Sequence, residues 1–95
     1  MKNELSDFDI SQYLDNNEII TEYLSQVLED GDMDEFFVAI GNIAKAKGMS
    51  KVSNDTGLGR ESLYKTFKIG SKPRFDTVLR VLKALDINLK AYSIN

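Results

Sequence analysis

A chain of 95 residues holds one domain with one modest core, and its lack of cysteine and histidine removes disulfides, thiolate metal sites and the commonest general base. No stretch approaches the ~20 apolar residues of a membrane span, and MKNELSDFDI lacks the apolar run of a signal peptide, so a soluble, cytoplasmic protein with no membrane role is expected. The formal net charge of −3 conceals a split: residues 1–40 carry one lysine against eleven carboxylates, a balance of −10, while residues 41–95 carry eleven Lys or Arg against four carboxylates, a balance of +7, which points to a different partner for each part.

The expected order is a flexible arm over residues 1–10, an acidic helical block over 11–48, a helix-turn-helix with a closing helix over 49–86, and an extended tail over 87–95. In the acidic block Asn16 is placed to cap a helix along which Ile19, Ile20, Tyr23, Leu24, Val27 and Leu28 fall on one face. Gly31 breaks that helix, Asp32 caps the next, and Met33, Phe36, Phe37, Ile40, Ile43 and Ala44 repeat every three or four residues until Gly48. A short helix from Met49 to Thr56 turns Val52 inward and ends at Gly57. A second runs from about Arg60 to Phe67, with Leu63 and Phe67 inward. KIGSKP is a loop punctuated by Gly70 and Pro73, and beyond it Phe75, Val78, Leu79, Leu82 and Leu85 trace an amphipathic helix with Asp76 in its first turn. The expected fold class is all-α, with five to six helices.

The tail INLKAYSIN alternates Ile87, Leu89, Ala91 and Ser93 with Asn88, Lys90, Tyr92 and Ile94, which is the period of a strand. No other segment resembles a partner strand. Two readings stand: pairing with the same strand of a second copy, giving a homodimer, or an unstructured tail.

TGLGRESLYK, Thr56 to Lys65, carries the chemistry. Two helices joined by a short glycine-containing turn make a DNA-binding unit when they cross closely at a fixed angle. Ser53 supplies a small residue on the first helix, Gly57 a turn residue tolerant of positive φ, Leu63 an inward apolar residue on the second, and Leu58 an apolar plug after the turn. Arg60 faces the positive end of the helix dipole at a cost of about 0.3–1 kcal/mol, so stability does not ask for it. The major groove does, because a guanidinium bonds guanine O6 and N7 together. Glu61 either accepts from a cytosine amine or pairs with Lys65 one turn on. Tyr64 and Lys65 lie outward toward bases or phosphates, with half-buried packing as the other reading of Tyr64. Lys51, Gly59, Ser62, Lys68, Lys72 and Arg74 surround the second helix where phosphate contacts would position the module. The expected partner is double-stranded DNA with a palindromic operator, bound by a dimer whose second helices lie ~34–36 Å apart.

From Tyr13 through Leu89 these segments resemble the addiction-module antidote family, antitoxins with a Cro/repressor-type (Xre) helix-turn-helix. YLDNNEIITEYLSQVLEDGD, IGNIAKAKGMS, TGLGRESLYK and FDTVLRVLKAL carry the resemblance. Gly59 stands where the family usually has serine, Ser53 where alanine is usual, and Arg74 and Asp86 replace Ser-like and Gly positions. The resemblance implies a Cro/lambda-repressor-like domain and a type II toxin–antitoxin system. In such a system the antitoxin binds a small basic toxin of the RelE/HigB/ParE type and the pair represses its own promoter. The basic second part would then meet DNA and the acidic first part the toxin, with Glu18, Glu22, Glu29, Asp30 and Asp34 as the candidate toxin-binding face.

Catalysis is not expected, nor is a cofactor. GLGRES lacks the third glycine of a dinucleotide fingerprint, and no GK[ST] follows. DGDMDE spaces Asp30, Asp32 and Asp34 like the first ligands of a calcium loop, but Glu35 holds the required glycine position and Gly41 the final glutamate position. A stand-alone phage-type repressor is the other regulatory reading. It has no need of the acidic block.

Overall fold

The computed structural model describes residues 16–95, which form five helices and no strand. These are α1 (Asn17–Asp30), α2 (Met33–Lys47), α3 (Met49–Thr56), α4 (Arg60–Thr66) and α5 (Phe75–Ala84). The expected arm over residues 1–10 and the start of the acidic block lie outside the described residues.

Local chemistry sets the helix ends. The Asn16 carboxamide oxygen accepts from the N–H groups of Glu18 at 2.9 Å and Ile19 at 3.2 Å, capping α1. Gly31 closes α1 in the left-handed region at φ 78°, with its N–H donating to the Leu28 carbonyl. One residue later the Asp32 carboxylate accepts from the Glu35 N–H at 3.2 Å and opens α2. Gly48, at φ 108°, ends α2 and starts α3 without an intervening loop.

α2 is the central element. α1, α3 and α4 all contact it, while α5 packs on α3. The core joins Ile20, Leu24 and Val27 of α1 to Phe36, Ile40 and Ile43 of α2, and these to Val52, Leu63, Val81 and Leu82. Gly41 permits the closest approach: a Cβ there would lie 3.0 Å from the Phe67 carbonyl oxygen and 3.1 Å from the Phe67 Cβ. The end of α4 is therefore seated directly on the α2 backbone.

The buried stripes are narrower than their periodicity predicts. Ile19, Leu28, Met33, Phe75 and Leu79 all remain exposed, Phe75 at 67%. Among the described residues α1 packs chiefly on α2 and α5 chiefly on α3, so the flanks of those two apolar arcs stay open.

Among the described residues the tail forms no strand, and the end of α5 accounts for its first member. Asp86 adopts φ 63°, its N–H donates to the Lys83 carbonyl at 3.0 Å, and the Ile87 N–H donates to the Leu82 carbonyl at 2.9 Å. This paired set is a Schellman motif, in which the residue after the left-handed position folds back on the helix. Ile87 is buried as that residue, so the first member of the alternating series belongs to a helix cap. The following residues have no strand to pair with among the described residues.

Candidate functional site

The turn between α3 and α4 is built from three residues and two hydroxyls. Gly57 takes φ 79° and ψ 6°, and its N–H donates to the Ser53 carbonyl. The Ser53 hydroxyl donates to the Leu58 carbonyl at 2.6 Å, so serine at this position pins the turn as well as permitting close packing. Buried Thr56 donates to the Val52 carbonyl at 2.7 Å and accepts from the Leu58 N–H at 3.2 Å. Sequence reasoning missed Thr56, although a threonine just before the turn glycine is the available signal. Gly59 opens α4 at φ −68° and ψ 151° with no side-chain cap, and a Cβ there would meet nothing within 4 Å.

α4 is seven residues long, too short to hold its shape alone. Leu63 and Phe67 fix it, both buried. With that side inward, Arg60, Glu61, Ser62, Tyr64 and Lys65 are all exposed. The ion pairs among the described residues are Lys51–Asp55 and Arg74–Asp76. The Arg60 guanidinium is in neither, and the Glu61–Lys65 pair, one of the two readings of Glu61, does not form. Tyr64 is 43% exposed, and the Lys45 ammonium of α2 lies 6.0 Å from its ring centroid, at the outer limit of a cation–π contact.

The surrounding cations fall into two groups. Lys51 is held by Asp55 at 2.9 Å; that hydrogen bond and the carboxylate's charge raise its pKa above the ordinary value of 10.5. Arg74 reaches Asp76 at 3.4 Å. Lys68 and Lys72 are exposed on the loop after α4 and make no ion pair among the described residues.

The five acidic candidates do not share one face. At about 100° per residue, Glu18, Glu22 and Glu29 lie within about 40° of one another on α1, whereas Asp30 is about 100° round from Glu29. Asp34 is on α2, where it accepts from the Gly70 N–H at 3.3 Å and ties down the loop after α4. Among the described residues no group of three or more Asp or Glu side chains is placed to hold a metal ion.

A family model described as "probable addiction module antidote protein" matches residues 4–93. The chain belongs to that family. A Haemophilus influenzae protein described only as uncharacterized is 37% identical to this chain over 90 residues, covering 95% of this chain and 93% of its own length. No solved structure matches. Membership implies a toxin partner and a regulatory rather than catalytic role for the antidote. Among its described residues, no helix is long and apolar enough to cross a membrane.

Proposed function

We propose that this chain is the antitoxin of a type II toxin–antitoxin system, neutralising a small basic RelE/HigB/ParE-like toxin by direct binding. We further propose that it represses its own operon by placing α4 in the major groove of a palindromic operator as a homodimer. The observation that carries the DNA half is the exposed row Arg60, Glu61, Tyr64 and Lys65 on a helix whose other side is locked by Leu63 and Phe67. A rod held this way presents side chains at fixed positions to base edges, which is what direct readout requires.

In this reading Arg60 bonds a guanine, and Glu61, no longer spoken for by Lys65, accepts from a cytosine amine. Tyr64 and Lys65 extend the base contacts. Gly59, Ser62, Lys68 and Lys72 lie where phosphates would pass, and Lys51 and Arg74 join them by exchanging a weak surface carboxylate contact for a phosphate. Charge supports the toxin half: a partner that handles nucleic acid is basic, and the carboxylates of α1 complement it.

The test is binding-site selection with wild type and Arg60→Ala. The expected result is a loss of about 1–3 kcal/mol at the selected site and relaxed preference at one base position. Selection of the same sequence by both proteins would overturn the DNA reading.

A further inference from the structure

A surface concavity lies away from α4. A groove of about 600 Å³ runs between the outer side of α1 and the C-terminal tail. Glu22 and Glu29 form one wall, Leu89, Lys90 and Tyr92 the other, and Leu28 contributes apolar surface at the α1 side. Glu18 continues the carboxylate stripe toward the start of α1, as its helical position requires.

Three observations meet here. Leu28 is 39% exposed, Leu89 38% and Tyr92 75%, so apolar area is left open on both walls. Glu18, Glu22 and Glu29 enter no ion pair among the described residues. The backbone of residues 88–92 makes no hydrogen bond within the described chain, leaving main-chain donors and acceptors beside the apolar surface. Carboxylates on one wall, open apolar side chains and unused peptide groups define a complementary occupant.

From this we infer that the α1–tail groove is where the toxin docks, and that it receives a Lys- or Arg-bearing amphipathic segment of that protein. The inference rests on the antitoxin reading and adds a location and an occupant to it. Cationic side chains meet Glu22 and Glu29, apolar side chains lie on Leu28, Leu89 and Tyr92, and the segment's backbone reaches that of the tail. Asp30 and Asp34 are not part of this site. The charged wall governs the approach of the partner, and the apolar side chains govern its residence.

The test titrates the full chain, labelled for backbone amide detection, with the purified protein encoded by the adjacent reading frame. Amides of residues 22–29 and 88–92 are expected to shift, with α4 amides unchanged. Glu22→Gln with Glu29→Gln is expected to slow association about tenfold at low salt and to flatten its salt dependence. Leu89→Ser with Tyr92→Ser is expected to speed dissociation about tenfold. All four side chains lie outside the core, and an unchanged thermal midpoint checks that each variant is folded. A complex that forms but perturbs α2–α5 instead overturns this site and leaves the antitoxin reading standing. No complex with that protein overturns both. Concentration-dependent shifts of residues 88–92 in the chain alone would assign the groove to a second copy and overturn the proposed occupant.

Discussion

α1 and α4 both present charged faces to solvent, of opposite sign and on opposite structural terms. α1 has 14 residues, a side-chain cap from Asn16, a left-handed glycine at its end, and contact chiefly with α2. α4 has seven residues, no side-chain cap, and neighbours in both α2 and α3. α1 is ordered by its caps and by the buried stripe Ile20, Leu24 and Val27, and offers a platform for a broad partner surface. A short helix is ordered by what it packs on, so its direction is as exact as its seat. Reading base edges needs the second kind of helix, and a charge-complementary protein interface tolerates the first.

Removing the seat is the largest expected effect. Leu63→Ala should cost about 2–5 kcal/mol of stability, read as a lower thermal or denaturant midpoint. DNA affinity should fall further than affinity for the toxin, because α4 loses its anchor and α1 keeps its own. Next comes Arg60→Ala, with its loss of about 1–3 kcal/mol at the operator. Its stability should be unchanged or slightly raised, since the arginine opposes the helix dipole, and toxin affinity should be unaltered.

Asp86→Gly ranks third. Asp86 holds a left-handed conformation that glycine adopts freely, so the exchange should stabilise the domain by about 1 kcal/mol by removing that strain, measured by chemical unfolding. Gly59→Ser should add a few tenths of a kcal/mol, since the N-cap geometry and open space are already present. The new hydroxyl should also tighten DNA binding.

The smallest effect belongs to Lys51 and Asp55. The ammonium's raised pKa means its contribution is present below the ordinary lysine value of 10.5 and is lost as pH climbs through the folded value. The stability difference between wild type and Lys51→Met should therefore vanish on the alkaline side.

Much of the fold was legible because glycines and short polar side chains mark its corners. Asn16, Gly31, Asp32, Gly48 and Gly57 bound three helices at the residues where the structure ends or starts them. Less legible was anything that depends on which side of a helix has a neighbour. Phe75 and Leu79 obey the apolar period yet stay open, whereas Val81, outside the predicted stripe, is fully buried. Gly41 shows only as an interruption in α2 until Phe67 is placed against it. At the candidate site the outward row on α4 followed from the spacing of Leu63 and Phe67. The hydroxyl bonds of Ser53 and Thr56 to Leu58 did not, because they depend on distances across a turn, whereas the Lys51–Asp55 pair has the i,i+4 spacing of one helix and was there to be read. Ile87 was ambiguous in the sequence because a helix cap and the first residue of a strand both call for an apolar side chain.

The division of labour between the two helices is tested most directly by titrating the labelled full chain with a duplex carrying the promoter of its own operon, at low and at moderate salt. The account predicts shifts of the amides from Leu58 to Lys65, none along α1, and an affinity that falls steeply as salt rises. Shifts along α1 with α4 unperturbed, or binding indifferent to salt, would contradict it.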